Sequence, residues 1–146
     1  MATIVIPTLK FQLNTGDRIT LKAENGLYLA RDPAHQDWIT ASASTPGPTS
    51  QFVVHVAEDS RISLEADNGR FVIRDTSAEF NPLVARERSA DQYTELTLTV
   101  FDDATVALKA DNKFYVGRYS YKAVQTVSAN RASIDQYCHF QIAETS

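Results

Sequence analysis

Polar and aromatic side chains gather in three loops, each of which follows a repeated hairpin motif. The side chains suited to ligand contact are Arg31, Asp32, His35, Asp37 and Trp38 in the first loop, Arg74, Asp75, Phe80 and Asn81 in the second, and Arg118, Tyr119, Tyr121 and the later Asn130 in the third. An aromatic ring can lie against the C–H face of a sugar, while carboxylates, amides and guanidinium groups bond its hydroxyls. These loops therefore predict up to three sites for a hydroxyl-rich ligand.

The sequence contains no recognisable catalytic or metal-binding motif. His35, His55 and His139 are dispersed, no serine or cysteine lies in a nucleophile motif, and no glycine-rich phosphate loop occurs. The single cysteine, Cys138, excludes an internal disulfide and a cysteine metal cluster. We therefore expect a binding protein that is not an enzyme and that uses no cofactor or metal.

The hairpin motif before these loops occurs three times, at residues 19–32, 62–75 and 106–119. Its central leucine recurs at intervals of 43 and 44 residues. In each copy apolar and polar residues alternate up to a turn, which is Asn-Gly in the first two copies; this pattern is typical of a half-buried strand leading into a tight hairpin. The third copy has Asn112-Lys113 instead, so its turn is predicted to be strained or longer.

Two further strands complete each repeat. One strand precedes each hairpin, for example Thr8–Leu13, and a fourth copy of this strand, Phe140–Ile142, follows the last repeat. The other strand follows each hairpin, for example Ile39–Ala41. Three repeats of four strands predict a β-trefoil, an all-β fold in which a six-stranded barrel is capped by three hairpins. The 146 residues form a single domain, 1–146, with repeats at about 8–56, 57–100 and 101–146.

Charge and hydropathy exclude several classes of partner. A formal net charge of −4 argues against nonspecific binding to nucleic acid or anionic membranes, which depends on basic residues. The chain has no run of 18 apolar residues and no basic segment before its first apolar run, so neither membrane insertion nor a secretory signal is predicted. We expect a cytoplasmic protein, with release by a route that needs no standard export signal as the alternative.

The repeats resemble those of two families. The segment Ile39–Ser44, ITASAS, followed by Phe52 and combined with the first hairpin, resembles the repeat of fascin-like β-trefoils. The segment Asp37–Ala43, with the third hairpin, is similar to the agglutinin domains of amaranthin-type lectins. Small trefoils of this kind are similar to the fruit-body lectins of mushrooms, and that resemblance implies binding of glycans that contain galactose or N-acetylgalactosamine.

The ricin-type variant of the fold is not matched. That variant has a Gln-x-Trp motif near the last strand of each repeat and an acidic residue on the second strand. Here Trp38 precedes the third strand, and the second-strand positions hold Ala30, Ile73 and Gly117. The ricin-type sugar site is therefore not transferred to this chain.

Several candidate residues also have a purely structural interpretation. The three arginines share one register, which fits an ion pair or a loop anchor as well as a ligand contact. Trp38 opens a strand and suits a plug at the end of the barrel. Tyr119 and Tyr121 lie in a polar loop that demands no aromatic bulk, so they are the stronger ligand candidates. Turn formation alone explains the asparagines of the three hairpins, Asn25, Asn68 and Asn112.

Three functions follow from these observations. A lectin for galactose-type glycans is the first hypothesis. A protease inhibitor that presents the loop Thr45–Thr49 is the second, and a fascin-like actin-binding module is the third, because fascins use several trefoils and this chain has one.

The chain contains one strand more than the twelve of a trefoil. If Phe140–Ile142 closes the third repeat, Thr8–Leu13 lies outside the barrel with Leu9, Phe11 and Leu13 on one face. A second copy of the chain that covers this face would make a homodimer. Pairing of the segment with the last strand of a monomer is the alternative.

Overall fold

The protein consists almost entirely of β-strands. The computed structural model describes residues 3–6, 11–58, 60–101 and 105–145, with side chains from residue 13 onward. Within these ranges no helix has the length and apolar character needed to span a bilayer. The strands are β1 (Thr3–Ile6), β2 (Phe11–Asn14), β3 (Arg18–Lys22), β4 (Tyr28–Asp32), β5 (Trp38–Ala43), β6 (Phe52–Val56), β7 (Arg61–Glu65), β8 (Phe71–Arg74), β9 (Leu83–Glu87), β10 (Leu96–Val100), β11 (Thr105–Lys109), β12 (Tyr115–Tyr121), β13 (Val124–Arg131) and β14 (Phe140–Glu144), with single 3-10 turns at Pro33–His35, Pro48–Ser50 and Gln136–Cys138.

Six of these strands close into a barrel. The ring runs β3, β6, β7, β10, β11, β14 and returns to β3, every neighbouring pair being antiparallel. The other strands of the repeats form the hairpins β4–β5, β8–β9 and β12–β13. This is the β-trefoil that the sequence predicts, with β3–β6, β7–β10 and β11–β14 as its repeats.

The three hairpins form a cap over one end of the barrel. A single bridge joins each pair of hairpins, and the three bridges link equivalent positions: Thr126 with Thr40, Trp38 with Val84, and Pro82 with Ser128. The hairpins therefore surround a pseudo-threefold axis. The β12–β13 hairpin is the longest, and both residues of its tip, Lys122 and Ala123, have positive φ, as a tight two-residue turn requires.

The apolar positions of the repeated motif fill the barrel. Leu21, Leu64 and Leu108 are 1%, 3% and 1% exposed, as the alternation predicts. Phe52 and Phe140, on the closing strands of the first and third repeats, are the largest fully buried side chains among the described residues. The predicted register is therefore correct, but the prediction of half-buried strands is wrong, because the intervening Thr20, Ser63 and Ala107 are buried as well.

The third hairpin turn has the same length as the other two but a less favourable conformation. The N–H of Ala110 donates to the Phe114 carbonyl at 2.9 Å, the same distance as in the equivalent bonds of the first two turns. Lys113 has φ 72°, where Gly26 and Gly69 have 82° and 77°. The predicted strain is present, because a side chain occupies a left-handed position that favours glycine.

The additional strand at the start of the chain pairs locally. Phe11–Asn14 is antiparallel to Thr3–Ile6, and these two strands form a sheet of their own. The alternative in which this segment adds to the last strand is wrong, because β14 pairs with β3 and β11 instead. The prediction that Leu13 lies on an uncovered face outside the barrel is wrong, because Leu13 is fully buried in the hydrophobic core. Leu9 lies outside the described residues.

Candidate functional site

The three predicted arginines form a ring of ion pairs between repeats. Arg31 donates to both carboxylate oxygens of Asp67 at 2.6 and 2.9 Å, and Arg74 donates to both of Asp111 at 3.1 Å. Arg118 closes the ring with Glu24 of the first repeat. In every case the acid precedes the asparagine of the next repeat's hairpin turn, so the ring locks each repeat to its neighbour.

Each arginine also anchors the loop that follows it in the chain. The third guanidinium nitrogen bonds Asp37 at 2.7 Å in the first repeat and Asn81 at 3.0 Å in the second. Gln125 takes the same role in the third repeat. The structural interpretation therefore accounts for all three arginines, and for Asp37 and Asn81, while their role as ligand contacts stays a prediction.

The ion pairs shift the pKa values of their members. The hydrogen bond from Arg31 lowers the pKa of Asp67 against the opposing effect of burial, and the same bond raises the pKa of Arg31. The hydrogen bond to Glu24 raises the pKa of Arg118. All three pKa shifts favour the charged form of the group, as expected when each charge is stabilised by a partner of opposite sign.

The asparagines of the hairpin turns hold the cap to the barrel. Their amide nitrogens donate to the carbonyls of the third strands, namely Asn25 to Ala41, Asn68 to Ala85 and Asn112 to Ala129, at 3.3, 3.2 and 3.0 Å. Their side-chain oxygens accept backbone N–H groups two residues later. Their predicted role as turn formers is confirmed.

Four predicted aromatic residues from all three repeats meet on the cap. Phe80 stacks on Tyr121 with ring centroids 4.4 Å apart and on Tyr119 at 5.3 Å. Trp38 meets Phe80 edge-on at 5.6 Å and Tyr121 at 6.3 Å. All four are only half-buried, so the cluster presents aromatic surface to solvent. Trp38 is half-buried in this cluster and does not belong to the hydrophobic core.

A buried carboxylate orients Trp38. The indole N–H donates to Asp75 at 3.3 Å, and Asp75 is 3% exposed. Burial raises the pKa of Asp75, but hydrogen bonds from Ser77 and Trp38 outweigh it, so that the net shift is downward. Asp75 therefore stays ionised at neutral pH and fixes the plane of the indole ring.

A shallow cavity of about 340 Å³ opens beside this cluster. Trp38 and Tyr121 form its aromatic walls, and His35 and Gln36 supply polar groups at one side. Asp32 accepts the ring N–H of His35 at 2.8 Å and caps the turn that carries it. We call this cavity the cap depression; its lining is Ala34, His35, Gln36, Trp38, Tyr121, Lys122 and Val124.

The structure thus unites most of the predicted first-loop residues with aromatics of the other loops. Asn130 lies apart, near the end of β13, and its buried side-chain oxygen accepts no hydrogen bond within the described residues. Sequence reasoning missed Gln36, Lys122 and Val124, since a polar turn residue and a hairpin tip look like ordinary loop positions. Gln36 has a positive φ of 58°, and no sequence motif indicates this backbone conformation.

The three histidines have separate environments. His35 pairs with Asp32 at the cap, His55 bonds Glu65 at 2.9 Å, and His139 stacks on Phe101 at 4.5 Å. No group of three histidine, cysteine or acidic side chains suited to a metal ion occurs in the part of the chain that the structure describes.

Comparison with known proteins identifies the fold. No known protein-family profile matches the sequence, and no curated protein sequence matches it. The chain is similar to ThreeFoil, a designed threefold-symmetric protein, with a TM-score of 0.75 and 12% identity over 88% of this chain and 99% of that one. It is similar to SeviL, solved bound to asialo-GM1 saccharide, with a TM-score of 0.70 and 9% identity over 90% of this chain and 100% of that one. It is also similar to the BEL β-trefoil, with a TM-score of 0.71 and 11% identity over 89% of this chain and 94% of that one. At these identities the shared property is the β-trefoil fold.

Proposed function

We propose that this protein is a lectin, a non-catalytic carbohydrate-binding protein, and that it binds galactose- or N-acetylgalactosamine-containing glycans in the cap depression. The observation that carries the proposal is the convergence of Trp38, Phe80 and Tyr121 from three repeats beside an open cavity. A fold neighbour that was solved with a saccharide supports the class of ligand. The preference for galactose-type sugars rests on the resemblance of the sequence motifs.

The cap depression has the chemistry that a sugar requires. The Trp38 ring, held by Asp75, offers a rigid apolar surface for the C–H face of a pyranose. His35, Gln36 and Lys122 border the cavity with groups that can donate to or accept from hydroxyls. A rigid aromatic surface loses little conformational entropy on binding, which favours a shallow site of this kind.

A single shallow site of this kind is expected to bind weakly, so a second copy of the chain would increase the effective affinity. We propose a homodimer in which the β1–β2 sheet contributes the contact. Removing residues 1–7 deletes β1, and sedimentation is expected to change from dimer to monomer while sugar binding per site is kept. An intact chain that sediments as a monomer at high concentration would refute the dimer and leave the lectin proposal standing.

Isothermal titration with lactose and with N-acetylgalactosamine tests the proposal. We expect saturable binding by the native chain and loss of at least about tenfold in affinity for Tyr121→Ser, because an aromatic contact and the wall of the cavity are removed. Phe114→Ser is the matched control, since Phe114 is an exposed aromatic that does not line the cap depression. Equal losses in both variants, or no binding of either sugar, would contradict the proposal.

A further inference from the structure

Three equivalent clefts occur, one at each junction between repeats. Each is bordered by the closing strand of one repeat and by the first hairpin turn of the next. Their volumes are about 450, 340 and 310 Å³ at the junctions of repeats 1 and 2, 2 and 3, and 3 and 1. We call the cleft between repeats 2 and 3 the second cleft; among its lining residues are Arg61, Gln92, Tyr93, Glu95, Asp111 and Lys113.

The second cleft contains an exposed tyrosine on a fixed turn. Tyr93 is 53% exposed, and its ring stacks on no other aromatic ring of the described residues. Its N–H donates to Asp91 at 2.9 Å, and the adjacent Thr94 is buried and bonded to Ser63 at 2.8 Å. The backbone that carries Tyr93 is therefore rigid, while the ring is free to meet a ligand.

The other two clefts offer no such ring. The equivalent sequence position beside the first cleft is Thr49, which has no ring. Beside the third cleft it is Tyr137, whose ring lies under the guanidinium groups of Arg118 and Arg131 at 5.3 and 5.0 Å. The ring of His139, which lines the third cleft, is stacked on Phe101 at 4.5 Å. An available aromatic surface is thus specific to the second cleft.

The same cleft contains the strained lysine of the third hairpin turn. Lys113 has φ 72° at a position where the other two repeats have glycine, so its presence costs conformational energy that glycine would avoid. Its side chain is exposed and forms no ion pair with any described carboxylate. Strained residues concentrate at functional sites, and this one lies in the cleft that holds Tyr93.

The charges of the second cleft leave this lysine uncompensated. Glu95 is paired with Arg61 at 2.9 Å, and Asp111 is paired with Arg74 at 3.1 Å. Both carboxylates of the lining are thereby offset, and the ammonium group of Lys113 remains as the positive charge that a ligand would meet. The cleft therefore suits an anionic group beside an apolar ring face.

We infer that the second cleft is a further saccharide site, selective for sugars that bear a carboxylate or a sulfate. Tyr93 takes the C–H face of the sugar ring, Lys113 takes the anionic group, and Gln92 bonds hydroxyls. The inference rests on the proposed lectin function but places a ligand of different charge at a site distinct from the cap depression. The protein would then carry two sugar sites of different specificity.

Calorimetric titration with 3′-sialyllactose, galactose 6-sulfate and lactose tests this inference on the full chain. We expect the acidic sugars to bind at least about tenfold more weakly to Tyr93→Thr and to Lys113→Gly, while lactose binding is unchanged. Both substitutions introduce the residue of an equivalent position in this same chain. Lys113→Gly also relieves the backbone strain, so its melting temperature should be unchanged or higher, and lost binding cannot be attributed to unfolding.

Thr49→Ala, at the equivalent sequence position beside the first cleft, is the matched control and should bind all three sugars as the native chain does. Binding of either acidic sugar that depends on Tyr93 and Lys113 supports the inference and shows which anion is preferred. Native affinity for acidic sugars no greater than for lactose would overturn it, as would acidic-sugar binding lost in Tyr121→Ser but kept in Tyr93→Thr. Loss of lactose binding in Tyr121→Ser reports separately on the cap depression.

Discussion

Replacing Arg74 with methionine removes one link of the ring that joins the repeats. The guanidinium group makes two hydrogen bonds to Asp111 and one to Asn81, and the side chains of Arg74 and Asp111 are 19% and 17% exposed. Hydrogen bonds to charged groups contribute about 1.5–3 kcal/mol when buried, whereas exposed ion pairs contribute under about 1 kcal/mol. Since this pair is partly screened and the substitution leaves Asp111 without its counter-charge, we expect a loss of about 2–3 kcal/mol.

Urea denaturation followed by circular dichroism measures this loss, which corresponds to a fall in melting temperature of about 5–10 °C for a domain of this size. Arg88→Met is the matched control, because Arg88 is exposed and forms no ion pair with the described residues. It should change the free energy of unfolding by less than about 0.5 kcal/mol.

A double-mutant cycle with Asp111→Asn isolates the interaction between the two side chains. Residues in direct contact commonly show coupling energies of 0.5–3 kcal/mol, and we expect about 1–2 kcal/mol here. Coupling near zero, or equal losses for Arg74→Met and Arg88→Met, would refute the conclusion that the ring stabilises the junctions between repeats.

Three further predictions concern the core, the stability at low pH and the cap. Leu64→Ala should cost about 2–5 kcal/mol in a denaturant titration because it leaves a cavity, while Lys22→Ala should be nearly silent; equal losses would show that the strand register is wrong. The lowered pKa of Asp67 means that its ion pair adds stability above about pH 4, the ordinary range of an aspartate, and loses it as the pH falls further. In Asp67→Asn the free energy of unfolding should therefore fall less steeply below that pH than in the native chain. An equally steep fall in both proteins would show that the Asp67 ion pair does not stabilise the fold. Asp75→Ala removes the acceptor of the indole N–H, so we expect a shifted emission maximum for the single tryptophan and weaker lactose binding; unchanged emission would show that the carboxylate does not orient the ring.

The repeated hairpins were predictable because the three copies share the same local pattern of apolar and polar residues. Alternating apolar residues specify which face of β3, β7 and β11 packs inside the barrel, and Asn-Gly specifies the first two turns. The strain at Lys113 was predictable for the same reason, since it depends on one residue and its own backbone.

What the sequence left open depends on contacts between distant parts of the chain. Arg118 and Glu24 are 94 residues apart in the sequence. Their ion pair forms because the fold brings the third repeat next to the first, and no local pattern indicates it. The meeting of Trp38, Phe80 and Tyr121 likewise requires the pseudo-threefold axis. The role of Tyr93 could not be predicted because only the folded structure shows that its ring is exposed, while the ring of Tyr137 lies against two guanidinium groups.

The central claim is that the cap depression binds a sugar against Trp38, and Trp38 is the one tryptophan of the chain. Its intrinsic fluorescence therefore reports on this site alone. Titration with N-acetylgalactosamine should give a saturable change in emission, which Tyr121→Ser should move to at least about tenfold higher sugar concentration and Phe114→Ser should leave unchanged. Emission that stays constant while calorimetry records sugar binding would place the sugar elsewhere and contradict the account of the cap depression.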